Sequence, residues 1–116
     1  MTQHRSAPSF SAAIRARCFE PAKAHKKVRA LFSGHVHAYE RFEEDGIELV
    51  VSGGGGAPRM EVRDGLRARD LYAGGPVRPF HYCLVTVEAR RAVVDVMMLD
   101  DAAGTWFRGD GFAVAW

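Results

Sequence analysis

Apolar residues in this chain fall into short runs rich in β-branched and aromatic side chains, separated by glycine, proline and charged clusters; only the first part carries a helical spacing. From 11 to 27, Ala12, Ala13, Ile14, Ala16 and Phe19 supply helix formers and one apolar face, with Ser11 as the N-cap. Pro21 predicts a break, followed by a second short turn over 22–26. His25, Lys26 and Lys27 place positive charge at that helical C-terminus. Residues 1–11 read as loop.

Strands follow. The run 28–32 predicts a buried strand, 39–42 a short extended segment, and 47–52 a further strand. Between the last two, Glu43-Glu44-Asp45-Gly46 is an acidic turn, Asp-Gly being a strong turn dipeptide between apolar runs. Gly53, Gly54, Gly55 and Gly56, then Ala57-Pro58, predict a tight corner. They do not form a phosphate loop, because the Gly-Lys-Ser/Thr ending is missing and no helical pattern follows. Residues 59–79 read as a long loop with one helical turn at 66–71; Arg63, Arg67, Arg69 and Arg78 read as a solvated group. The clearest hairpin pairs 80–88 with 92–99 across Ala89-Arg90-Arg91. Apart from Thr86 and Asp95 its strands are apolar on both faces, which predicts burial inside a sandwich. A short strand at 105–107, a turn at 108–111 and an apolar tail at 112–116 complete the chain, with Trp106 and Trp116 as core or interface aromatics. The predicted fold class is α+β: a single domain over 1–116, with a mostly antiparallel sheet of about five strands and an N-terminal helix.

Composition narrows the function classes only a little. At 116 residues, 47% hydrophobic and 26% charged, the chain is ordinary for one globular domain. A net charge of +2 with interspersed signs gives no footprint for nucleic acid or an anionic membrane. Cys18 and Cys83 fit neither a CxxC pair nor a disulfide framework and read as reduced thiols. No run is long enough to span a membrane, and the N-terminus has no apolar signal-peptide core, which implies a cytoplasmic location if Met1 is the native start.

The candidate chemistry lies after the first strand, in Ser33-Gly34-His35-Val36-His37. In extended backbone, positions i and i+2 share a side, so His35 and His37 are expected to face one pocket with Val36 turned into the core. Neutral imidazole is the commonest protein metal ligand near pH 7. Gly34 suits a turn or a close approach to a ligand. A bare His-x-His is also compatible with an ordinary surface strand end.

Gly34-His35-Val36-His37-Ala38-Tyr39-Glu40-Arg41 resembles the last metal-binding motif of the calcineurin-like metallophosphoesterases, and the Tyr-Glu-Arg tail is most similar to the purple acid phosphatase branch. The resemblance implies an αββα sandwich with a two-metal site at the strand ends, hydrolysis of phosphate esters, and iron, zinc or manganese as cofactors. It implies that His35 and His37 each ligate one of the two metals, and that His4, four residues before Pro8, is either the lone histidine ligand preceding the motif or an unengaged N-terminal histidine. Tyr39 is then expected to line the pocket or to pack beside the strand. Arg41 is expected to meet a phosphate, or to form a structural salt bridge that fixes the histidine loop. His81 opens a strand as a packing residue or as a support behind the site.

The family's upstream motifs are missing. No Asp-x-His, Gly-Asp and Gly-Asn-His follow one another before Gly34, and the chain contains no Asn. The nearby acids, Glu40, Glu43, Glu44 and Asp45, lack a bridging spacing. The expectation is therefore the C-terminal part of a phosphohydrolase, holding one metal at most and completed by an upstream segment or accompanied by a homo-oligomeric partner. The alternative is a non-catalytic metal-binding or association module.

Overall fold

The computed structural model describes residues 15–62 and 69–116. His4, Ser11, Arg63 and Arg67 lie outside the described residues, as does the first half of the turn expected at 66–71.

A π-helical turn, Arg15–Phe19, runs directly into helix α1, Glu20–His25. In place of the break expected at Pro21 the helix changes from π to α at Glu20, with Pro21 in the first turn of α1, where its fixed φ suits the helix. Lys26 closes the helix in the left-handed region at φ 62°.

Six strands follow: β1 Ala30–Ser33, β2 Tyr39–Glu44, β3 Ile47–Ser52, β4 His81–Val87, β5 Arg91–Asp100 and β6 Thr105–Ala115. They form two sheets of three, ordered β1-β3-β2 and β4-β5-β6, where a single sheet of about five strands was expected. β1 pairs parallel to β3; every other pairing is antiparallel. Asp45 and Gly46, both at positive φ, make the two-residue turn between β2 and β3.

The period-2 alternation of β3 explains the layering. Ile47, Leu49 and Val51 face one way and join Phe19, Ala22, Val36, Ala38, Phe42 and Val62 in a core under the helix. Val50 faces the other way and packs with Tyr39 against Val94, Val96 and Met98 of β5. The result is helix, sheet and sheet in three layers. Among the described residues no helix is long and apolar enough to cross a membrane.

Two expectations about the second sheet are corrected. The hairpin β4–β5 is not covered on both faces: β5 alternates buried and half-buried residues, Tyr82 and Leu84 on the outer face of β4 are 47% and 54% exposed, and Val87, at the end of its inner face, is 71% exposed. Residues 105–115 are one long strand, not a strand, a turn and a tail. The glycine that reads as a turn signal is a bulge. Val96 pairs with Asp110 and Met97 with Arg108, which leaves Gly109 as the extra residue, and a Cβ there would lie 2.2 Å from Met98 Sδ.

Candidate metal centre

The histidine motif begins where β1 ends, but its backbone is not extended. The Val36 amide donates to the Gly34 carbonyl at 2.9 Å and the Ala38 amide to the Val36 carbonyl at 2.8 Å, so two three-residue turns follow one another. His35 is the centre of the first, at φ 74°. The same-side argument for His35 and His37 therefore does not hold. His35 is exposed, Val36 is buried in the core as expected, and His37 is half-buried.

Among the described residues, three other than glycine have positive φ: Lys26, His35 and Asp45. Lys26 caps a helix and Asp45 turns a hairpin, both ordinary uses of that region. His35 serves neither purpose. A non-glycine γ-turn of this sign costs about 1–3 kcal/mol and persists when the surroundings over-determine it.

Those surroundings are the glycine corner after β3. The Gly53 amide donates to the Ala38 carbonyl at 3.1 Å, and a Cβ on Gly53 would lie 2.0 Å from the Val36 oxygen. Only a glycine lets the two backbones approach this closely. His37 Nδ1 lies 2.7 Å from the Pro58 carbonyl, and the Met60 amide donates to the His37 carbonyl at 3.1 Å. A carbonyl can only accept, so Nδ1 carries the proton and the Nε2 lone pair is left for a cation. Imidazole ligands of metals are oriented by this kind of bond to a carbonyl.

Behind the turn lies a brace of charges. Arg41 Nη1 donates to Glu48 at 2.7 Å and its Nε to Asp110 at 3.0 Å; the guanidinium also stacks over Phe112, 4.8 Å from the ring centre. Burial works to lower the Arg41 pKa, but the bonds to Asp110 and Glu48 outweigh it and raise the value. Tyr39 is fully buried, and its hydroxyl donates to Asp110 at 2.7 Å; burial, then that bond, raises the phenol pKa. Burial pushes Asp110 up, yet Arg41 and Tyr39 together hold its carboxyl below the usual range. Arg41 thus takes the structural salt bridge, with Glu48 and Asp110 as partners, and Tyr39 packs between the sheets.

A second pair ties the long loop to β2. Arg78, read from sequence as solvated, is 1% exposed and bonded to Asp70 at 2.9 Å and to the Tyr39 carbonyl at 2.8 Å. Asp70 also accepts from the Arg41 and Tyr72 amides. No sequence spacing marks Asp70, Arg78 or Asp110, because their partners arrive through tertiary packing.

Among the described residues no group of three His, Cys, Asp or Glu side chains is placed to hold a metal ion. The described donors therefore do not fit a complete two-metal site; His37 and the neighbouring His35 are the imidazoles left as candidates for part of one.

No protein-family profile matches the chain, and no curated protein sequence matches it. Solved structures do. Vacuolar protein sorting 29 from Cryptosporidium parvum superposes with a TM-score of 0.53 at 18% identity, covering 84% of this chain and 43% of that one. A single-mutant Vps29 from Entamoeba histolytica gives 0.52 at 16% identity, covering 100% and 53%. The likeness is one of fold. It is compatible with part of a metallophosphoesterase-like fold, and this chain spans about half the length of the two structures.

Proposed function

We propose that the chain is the carboxy-terminal part of a metal-dependent phosphoester hydrolase, similar to the purple acid phosphatase branch, in which His35 and His37 supply the imidazole ligands. The observation that carries this reading is the histidine turn itself: a strained His35 beside a His37 whose tautomer is set by Pro58. When bound, iron, zinc or manganese would supply positive charge to a phosphate ester and acidify a bound water. In this reading His37 offers Nε2, His35 offers the neighbouring imidazole, and Tyr39 and Arg41 hold the turn from behind rather than touching substrate.

The remaining ligands belong to a segment beside β1. Among the described residues that strand is an edge with only β3 next to it, and Phe32, registered with the buried Val50 and so on the inner face, is still 47% exposed. A further strand parallel to β1 would cover Phe32 and end beside His35, where open parallel sheets bind their ligands.

Calorimetric titration of zinc or manganese into the chain tests the assignment. His35→Ala and His37→Ala are each expected to weaken binding about ten-fold or more. His25→Ala, at the end of α1, should leave binding unchanged. Equal effects from all three would remove the ligand assignment. The chain alone is expected to hydrolyse p-nitrophenyl phosphate only marginally above metal in buffer, and to gain activity when the upstream segment is fused or co-expressed.

A second reading, an association module, is favoured by the exposed Tyr82, Leu84 and Trp106 and by relatives named for protein sorting. Activity that stays absent after the upstream segment is restored would favour it.

A further inference from the structure

His81 opens β4 on the far side of the glycine corner from the histidine turn. It is 3% exposed, and its Nε2 lies 2.9 Å from Ser52 Oγ at the end of β3. Its amide donates to the Gly54 carbonyl at 3.0 Å. A Cβ on Gly54 would fall 2.7 Å from Nδ1, so ring and backbone are in contact there. The ring also meets Tyr39 edge-on, 5.2 Å between centres. Each face of the corner is thus occupied: Val36 and Ala38 touch Gly53, and His81 touches Gly54.

Resting on the metal-centre reading above, we propose that His81 is a positioning residue: from between the sheets it fixes the corner at 53–58, whose Pro58 carbonyl sets the tautomer of His37. The path has three steps. Ser52 and the Gly54 carbonyl lock His81 to the start of the corner. Gly53 and Gly54 have no side chains to spare, so the start of the corner cannot shift without meeting either Val36 or the His81 ring; Gly55 and Gly56 are open, and the far end is tied back by the Met60 amide on the His37 carbonyl. Pro58, at the far end of the same short segment, then stands where His37 Nδ1 finds it. Burial supports the arrangement by holding His81 in its neutral form, against a smaller upward pull from the Pro79 carbonyl.

The test reads the His37 imidazole nitrogens by long-range proton–nitrogen NMR on the metal-free chain, alongside zinc titration. Wild type is expected to show a proton on Nδ1. His81→Phe keeps ring volume and loses the bond to Ser52, Gly54→Ala drives ring and corner apart, and Ser52→Ala removes a single hydroxyl. All three are expected to shift His37 toward a mixture of tautomers, Ser52→Ala least, and to weaken zinc binding about ten- to a hundred-fold for the first two. His25→Ala should change neither readout. An unchanged His37 tautomer in both His81→Phe and Ser52→Ala would overturn the proposal and leave His81 as packing. If wild type takes up no zinc, the metal-centre reading fails, while the tautomer shift, read without metal, still decides the role of His81.

Discussion

Leu49 and Leu84 are the same residue in strands of similar length, yet Leu49 is 1% exposed while Leu84, on the outer face of β4, is 54% exposed. The first sheet has a helix on one face and a sheet on the other; the second has a single covered face. Cover, rather than the apolarity of a strand, decides burial. The difference also sorts the polar groups. The buried charges and the histidine pair sit between the sheets or at the end of the covered one, where low dielectric makes each bond count. The outer face of the second sheet holds the edge-on pair Tyr82–Trp106 and the accessible ion pair Asp95–Arg108.

The largest effect is expected at the buried ion pair. Arg78→Met strands the Asp70 carboxylate, whose side chain has no exposure, and is expected to cost about 3–5 kcal/mol in urea unfolding. The double variant Arg78→Met, Asp70→Asn keeps an acceptor for the Arg41 and Tyr72 amides and removes both charges, so it should cost less than the single change. A double variant as damaged as the single would show that packing, not stranded charge, is the source.

The next effect compares one residue type across the two regions. Leu49→Ala empties a site under the helix and should destabilise by about 2–5 kcal/mol. Leu84→Ala, on the bare face, should stay within about 0.5 kcal/mol. Comparable losses at both positions would mean that the outer face of the second sheet is covered in solution.

The same contrast explains what the sequence made legible. The β2–β3 hairpin was readable because its signal is local: Asp45-Gly46 between alternating runs, with β3 falling at 47–52 as expected. The helix was readable in type but not at Pro21, whose effect depends on whether it lies in a first turn or an interior. β6 was misread because Gly109 and Gly111 look alike in sequence, while the use of Gly109 depends on Met98 one strand away. His35 and His37 stood out as residue types, but the two successive turns that carry them depend on Gly53 pressing on Val36, a contact between segments. Arg78 was indistinguishable from its exposed neighbour Arg69 until the loop brought Asp70 to it. The parallel pairing of β1 with β3 likewise skips a strand, and no local pattern records it.

The smallest expected effect is a pH dependence that divides between two places. Burial lowers the His81 pKa from its ordinary 6.5, with Tyr39, Ser52 and Cys83 facing the ring or its partner and no carboxylate among them. A group whose native pKa is depressed contributes its stability in full above the unfolded value. As pH falls below 6.5 the unfolded chain takes a proton that the native state refuses, and stability is lost until the native pKa is passed, at up to about 1.4 kcal/mol per pH unit for one proton. Asp110 has the same sign in a lower window: Arg41 and Tyr39 hold it below 3.8 against burial, so its contribution is present above 3.8 and goes as pH falls through the lower native value. Urea midpoints measured from pH 8 to pH 3 are expected to fall in two steps. His81→Phe should flatten the upper step alone, and Arg41→Met the lower alone. Parallel curves for wild type and His81→Phe would mean that the imidazole is protonated as easily inside the sandwich as in the unfolded chain, and that water reaches the ring.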